Sequence, residues 1–361
     1  MMKVAVLGGG HGCYAAAAEM TERGHKVWFW RRDAAAFGPV VATKRIAITD
    51  FRGHREVEIH RPTHSLEEAV SEADLVLTPL PATAQEDIAR AIAPLLRSGQ
   101  VVFLPPGTFG SYIFARALRE SGNHADVAFA ETGTLPNLVR KHGAAAIVVS
   151  GYGKHLPTGI FPGRLRDSAL NVLRAAYPSI EPVEDVLSAA LMNAGPIIHP
   201  PLILMNAGPL EHFPTWDIHN EGTQPSIRRV TDTLDDERIL VREALGYGPP
   251  HFPLRDHYAK DGAEWMYGRA AHEKLTASGD WRESIDLSGH RYMLEDTKLG
   301  LSLIVSVSRW IGAGVPVAQG LLSIASAVAG QDFYRTGRTF ESLGLAGLTR
   351  REMVELLETG I

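Results

Sequence analysis

The chain has 361 residues, 45% of them apolar, with a net charge of −5 and a pI near 6.3. That length exceeds one small core and suits two domains, and the mild acidity gives no reason to expect nucleic acid or a membrane surface as a partner. The single cysteine, Cys13, excludes an internal disulfide and fits a reducing compartment, so a cytoplasmic location is expected.

The Met-Met-Lys start leads into a strand pattern without a small-residue cleavage site, so no signal peptide is expected. Residues 3–7, Lys-Val-Ala-Val-Leu, are an apolar run of buried-strand type. Gly8-Gly9-Gly10-His11-Gly12-Cys13 follows, then the helix-forming stretch from Tyr14 to Met20, then a second strand at 26–30. Together they make a βαβ unit. Gly8 and Gly10 fill the first two places of G-x-G-x-x-G, where a tight turn lets a pyrophosphate approach a helix N-terminus. Cys13 takes the third place, whose task is close helix–strand packing, and a small residue serves there. Glycines alone suit any turn of this kind; the flanking strand and helix make dinucleotide binding the expectation.

The alternation continues. Ser65 to Ala73 reads as a helix capped by Ser65, with Glu68 as its capping-box partner. Strands are expected at 74–78, 101–104, 127–130 and 144–150, and helices at 85–96 and 111–121. This is an α/β, doubly wound Rossmann-type domain, placed at 1–182, whose ligands sit beyond the carboxyl ends of its strands. Those ends carry Gly8, Gly10, His11 and Gly12, then Arg31 and Arg32, Pro79 and Pro81, Pro106 and Thr108. These are the candidate cofactor contacts, although any one loop read alone is an ordinary turn. Glu131-Thr132 closes a further strand and is read as lining the same cleft.

Near residue 183 the pattern changes to helices and polar loops, so an all-helical domain is expected over 183–361. Residues 226–245 are amphipathic, with Ile227, Val230, Leu234, Val241 and Leu245 near core spacing. Residues 247–288 mix aromatics, charge and turns without a clear period. Apolar helices are expected at 293–311 and 317–329. The run 310–330 lacks charge, but its glycines, Pro316 and serines suit a buried helix pair rather than a membrane span. Thr349 caps a closing helix to Leu357, with Glu352 at its third position.

Two stretches there carry chemistry. Asn193-Ala-Gly-Pro-Ile-Ile-His199-Pro200-Pro201 runs on to Asn206, seven residues past His199 and on the same face of a continuous helix. The two prolines should end or start a helix, leaving His199 at a break where a side chain meets a cleft. Read alone, His199 is equally a buried histidine bonded to a carbonyl. His290-Arg291-Tyr292-Met293-Leu294-Glu295-Asp296 opens a later helix, with Arg291 and Asp296 five residues apart.

The order of these motifs resembles the opine dehydrogenases of the octopine/nopaline type over nearly the whole chain. The marks are Gly8-x-Gly10-x-Gly12, Glu131-Thr132, Asn193 with His199-Pro200 and Asn206, Glu221-Gly222 with Pro225-Ser226, Arg291-Tyr292 with Glu295-Asp296, and the tail from Gly337-Arg338 through Leu348-Thr349. The resemblance implies reductive joining of an amino acid's amino group to a 2-oxo acid, with a nicotinamide as hydride donor. It implies a catalytic pair of His199 and Asp296, with Arg291 on the oxo-acid carboxylate. Asn193 and Asn206 become hydrogen-bonding support. Glu131 becomes a contact for the substrate amine or, equally, a structural ion pair. Imidazole moves a proton near neutral pH, a carboxylate behind it fixes its tautomer, and a guanidinium grips a carboxylate bidentately.

The second strand ends at Trp30, and Arg31-Arg32-Asp33 follow. An NAD site usually has an acidic residue there, and norvaline-type members of the family have an aspartate in register with Arg31. Two arginines suit a 2′-phosphate, so NADP is expected, with NAD the alternative if Asp33 takes the ribose. The competing enzymes are ketopantoate reductase and glycerol-3-phosphate dehydrogenase, which use a lysine; Lys298 would face away from Asp296 on a helix. A dinucleotide-sensing protein is the non-enzyme alternative. No H-E-x-x-H or cysteine pair occurs, so no metal is expected. The expected partners are an amino acid and a 2-oxo acid, and a homodimer is left open.

Overall fold

A computed structural model of the chain describes residues 1–258, 264, 266–267, 279 and 281–361. The chain divides into two compact units, Met1–Ala190 with Val354–Ile361, and Leu191–Met353. The first therefore runs past the boundary expected at 182. Helix α7 (Val186–Ala190) explains this: its start lies against Gly159, where a side chain would strike the backbone of Asp185 and Val186.

In the first unit β1 (Lys3–Leu7), α1 (His11–Glu22) and β2 (Lys26–Trp30) form the expected βαβ. Then come α2 (Ala34–Thr43), β3 (Arg45–Asp50), β4 (Gly53–Glu58), β5 (Arg61–Thr63), α3 (Leu66–Val70) and β6 (Leu75–Leu77). Next are α4 (Gln85–Ile92), β7 (Val101–Leu104), α5 (Gly110–Glu120), β8 (Ala128–Thr132), β9 (Asn137–Lys141) and β10 (Ala146–Tyr152). β11 (Leu156–Phe161), α6 (Arg166–Ala176) and β12 (Ile180–Pro182) end the series. The main sheet has eight strands in the order β12-β11-β8-β7-β6-β1-β2-β5. All its pairings are parallel except β11 with β8. Its central strands are apolar without alternation because helices cover both faces. Val4, Val6, Val76, Val102 and Phe103 are wholly buried.

A second sheet, β4-β3-β10-β9, was not expected beyond its β10 strand. β3 and β4 are rich in charge and β9 ends in Arg140-Lys141, so little hydrophobic pattern marks them. The capping box at Ser65 is half formed. Ser65 Oγ accepts the Glu68 N–H at 3.1 Å, but the Glu68 carboxylate turns to Arg61 at 2.6 Å and to Thr63.

Among the described residues, the second unit is mainly helical, with a two-strand ladder that pairs Trp216 with Glu283 and Asp217 with Arg282. Helix α8 (Gly195–Met205) runs straight through Pro200 and Pro201, so His199 lies inside a helix rather than at a break. Each proline removes one ladder donor, and burial of Ile197, Leu202 and Ile203 offsets that loss. Helix Pro225–Leu245 buries Ile227, Leu234 and Val241 as expected. It also buries Asp235, Glu237, Arg238 and Arg242, with Arg238 Nε on Asp235 at 2.6 Å. Helix Ser302–Ile311 is preceded by a π-helical segment, Tyr292–Leu301. Helix Pro316–Ala329 and the Thr349–Glu352 cap follow as expected. The apolar stretch 186–205 is long enough to cross a bilayer, but it is 89% buried within the protein, as a core segment is. Part of 247–288, whose structure the sequence pattern does not define, lies outside the described residues.

Candidate active site

The glycine turn is built as its residue types require. Gly8 has φ +123°, which a residue with a side chain rarely adopts. Open space faces Gly10, so backbone can approach a phosphate there. Cys13 is wholly buried, its Sγ 3.5 Å from the carbonyls of Leu7 and Pro79. Burial pushes its thiol up to about 12, which leaves it a packing residue. His11 is exposed at the start of α1 and accepts the Lys141 N–H at Nδ1, 3.2 Å away. Gly12 packs beside Pro79 and Leu135.

Arg31 folds back over Gly9. Its Nη1 donates to Tyr14 Oη at 3.2 Å and to the Ala36 carbonyl at 3.3 Å, and its Nη2 lies 3.7 Å from Asp33. Asp33 is engaged elsewhere too, capping α2 through Ala36 N–H at 3.0 Å. Arg32 and Pro81 are exposed. Pro106 is half-buried, and Thr108 is buried with φ +55°.

Glu131 is placed differently from a substrate contact. It is wholly buried, its Oε1 accepting Phe109 N–H at 2.7 Å and its Oε2 accepting Ser111 N–H at 3.0 Å and Ser111 Oγ–H at 2.6 Å. Its carboxylate thus holds the loop that carries Pro106 and Thr108.

In the second unit the structure brings His199 and Asp296 together across 97 positions, Nδ1 to Oδ2 at 2.7 Å. Two glycines permit it. A side chain at Gly195 would strike Asp296, and one at Gly300 would strike Pro196. Removing both lets α8 and the π-helix close on each other. The π-helix also matters to Arg291 and Asp296, because i→i+5 bonding stacks positions five apart.

The ring of Tyr292 lies flat on the His199 imidazole, 3.7 Å between centroids and 8° between planes. Tyr292 Oη is 2.8 Å from His219 Nε2, and His290 meets the same ring edge-on at 4.4 Å. Arg291 is exposed, with Cζ 5.5 Å from the Tyr292 ring, and has no ion-pair partner among the described residues. Burial, helped by the Arg291 charge, holds His199 well below its ordinary value. Burial pushes Asp296 up to about 7, against the pull of Arg291. The pair therefore titrates as one unit. With the carboxylate ionised it accepts the Nδ1 proton and His199 Nε2 is a base. With one proton more, Nε2–H is an acid. Nε2 has no hydrogen-bond partner among the described residues.

The asparagines are tied into the fold. Asn193 Oδ1 accepts Gly195 N–H at 3.0 Å at the start of α8. Asn206 Nδ2 donates to the carbonyls of Leu202 at 2.8 Å and Gly222 at 3.1 Å, and its Oδ1 accepts Trp216 Nε1–H at 3.1 Å. Lys298 points to Gln331 Oε1, 2.7 Å away. Tyr292, His219 and the two helix-contact glycines had no role assigned from the sequence. The only signal for them was position: Tyr292 between two site residues, and Gly195 four before His199. No cluster of metal-ligating residues occurs among the described residues.

A βαβ unit with a glycine turn, and a helical unit with a buried His–Asp pair beside an arginine unpaired among the described residues, are the marks of an NAD(P)-dependent oxidoreductase. The profile of the NAD/NADP octopine/nopaline dehydrogenase α-helical domain matches residues 182–329. The profile of the NAD-dependent glycerol-3-phosphate dehydrogenase N-terminus matches residues 3–105. The opine dehydrogenase of Arthrobacter sp. is 28% identical over 352 residues, 96% of each chain. Octopine dehydrogenase in complex with NADH and agmatine superposes with a TM-score of 0.72 at 19% identity, covering 98% of both chains. NADP⁺-bound yersinopine dehydrogenase gives 0.66 at 14%, covering 99% of this chain and 98% of that one. Residues 182–329 thus carry the helical domain of the octopine/nopaline dehydrogenases, and the chain is similar over nearly its whole length to opine dehydrogenases, which act on CH–NH bonds.

Proposed function

We propose that the protein joins the amino group of an α-amino acid to a pyruvate-like 2-oxo acid, or runs the reverse oxidation, with NADPH as its preferred cofactor. The reading is carried by the His199–Asp296 pair beside an unpaired guanidinium. The oxo acid offers a carboxylate for Arg291, bound through two charge-assisted hydrogen bonds that orient its carbonyl. His199 Nε2–H protonates the carbonyl oxygen as the amine adds, and the same nitrogen assists the departure of water to the imine. Asp296 holds the tautomer and stabilises the imidazolium. The nicotinamide, when bound, supplies the hydride that reduces the imine. Gly8, Gly10 and Gly12 admit its pyrophosphate to the N-terminus of α1, and the loops of Pro79, Pro81, Pro106 and Thr108 border the same end of the sheet.

NADP is favoured because Arg31 and Arg32 stand where a ribose-binding acid would be, while Asp33 caps a helix. The octopine dehydrogenase and yersinopine dehydrogenase neighbours carry NADH and NADP⁺ respectively, so relatives use both. Asn193, Asn206 and Glu131 act as supports of the site's framework. A cytoplasmic location suits the lone buried thiol. The test is oxidation of NADPH and of NADH with pyruvate and a panel of amino acids. Turnover with at least one amino acid and a higher kcat/KM for NADPH is expected. No turnover with any pair would overturn the reading in favour of a dinucleotide sensor.

A further inference from the structure

We propose that Lys141 is a phosphate-binding residue of the dinucleotide site, contributed by the second sheet rather than by the βαβ unit. Lys141 ends β9, and its N–H is donated to His11, the first residue of α1. Its ammonium sits 3.9 Å from the centroid of the Tyr14 ring, in the first turn of the same helix. The hydroxyl of that ring accepts a hydrogen bond from Arg31 at 3.2 Å. One buried aromatic ring therefore holds one cation on its face and another at its rim.

The arrangement is electrostatically one-sided. Two cations and the positive end of a helix dipole share one small region. Asp33 lies 3.7 Å from Arg31, but no carboxylate pairs with Lys141 among the described residues. Partial burial and the Arg31 charge both disfavour the Lys141 ammonium. The cation–π contact offsets only part of that. A fold that keeps an unpaired lysine against an arginine at the mouth of a phosphate-binding turn is completed by an anion. The chemistry present there is a phosphate of the dinucleotide, either the 2′-phosphate of NADP or the pyrophosphate common to both cofactors. The inference rests on the first unit binding a dinucleotide and not on the choice between the two.

The experiment is calorimetric titration of the intact protein and its Lys141→Met and Lys141→Arg variants with NADPH and with NADH. It reads cofactor binding directly, so it does not depend on finding the substrate pair. Lys141→Met should weaken at least one cofactor by about tenfold or more, and Lys141→Arg should restore most of that loss. Loss confined to NADPH assigns the 2′-phosphate, and equal loss for both assigns the pyrophosphate. Binding of both cofactors within about twofold of wild type overturns the proposal. So does a loss that Lys141→Arg fails to restore, because that marks Lys141 as a packing residue.

Discussion

The first unit draws most of its candidate cofactor contacts from one contiguous stretch: Gly8 to Gly12 on the turn, and Arg31 and Arg32 at the end of the next strand. The second unit assembles its site from segments far apart, with His199 meeting Asp296 across 97 positions and Tyr292 bonded to His219 across 73. Local chemistry suffices in the first case, because a glycine turn and a helix N-terminus bind phosphate through the backbone. Proton transfer needs side chains at fixed distances in a dry place. Only tertiary packing sets those distances, here the close contact permitted by Gly195 and Gly300. Substitutions in the second unit should therefore damage chemistry and spare nucleotide binding, and those in the first should do the reverse.

The largest expected effect tests that separation directly. His199→Ala should lower turnover by about 10²–10⁴-fold with cofactor affinity nearly unchanged. Asp296→Asn should come close, since an amide no longer selects the tautomer. Loss of nucleotide binding in either variant, or activity within a few-fold of wild type, would break the assignment. The pH dependence adds a sign. Oxidation needs Nε2 as a base, so its kcat/KM should fall as pH drops through the pair's titration near 7. Reduction needs Nε2–H, so its kcat/KM should fall as pH rises through the same point. Asp296→Asn should abolish that shared midpoint.

The first unit supplies the next largest effect. Arg31→Asp with Arg32→Ala should reverse or erase a preference for NADPH. Each charge-assisted bond contributes about 1.5–3 kcal/mol, so the change in the NADPH/NADH ratio should be tens to thousands of fold. A wild type that prefers NADH, or a preference that survives both changes, would show that the end of β2 does not select the cofactor.

How far each site was legible follows from the same contrast. The βαβ boundaries and the tight turn at Gly8 could be read in order because each residue's conformation there depends on its neighbours in sequence. The second sheet could not, because Arg45–Asp50 and Gly53–Glu58 alternate charge with few buried residues. Nor could the passage of α8 through Pro200-Pro201, since proline's local rule argued for a break and buried packing overrode it. Asn206 shows how a local reading stops short: a carboxamide two turns past a candidate base looks functional, and its hydrogen bonds among the described residues tie together a helix end, a loop carbonyl and an indole.

Arg291 sharpens the picture inside the second unit. Arg291→Lys keeps the charge but loses the planar fork. KM for the oxo acid should rise by about tenfold and KM for the amine far less, with the cofactor's KM unmoved. Equal rises for both substrates would make Arg291 structural.

The smallest effect should come from Tyr292, the site residue whose role the sequence hid best. Its ring does two separable things: it lies 3.7 Å from the His199 ring, and its hydroxyl meets His219 at 2.8 Å. Tyr292→Phe keeps the ring and removes one hydrogen bond, a loss of about 0.5–1.5 kcal/mol, or roughly two- to twelvefold in kcat if the bond is felt at His199. Tyr292→Leu removes the flat surface as well and frees the imidazole to leave the line to Asp296. Its kcat should fall further than that of Tyr292→Phe, and the pH midpoint near 7 should move, because that midpoint belongs to a dry, aligned pair. A cofactor KM that stays constant in both variants keeps the effect within the second unit. If Tyr292→Leu alters cofactor binding as much as turnover, the division of labour between the units is wrong. If both variants behave like wild type, the stacked ring is packing alone and Asp296 by itself orients His199.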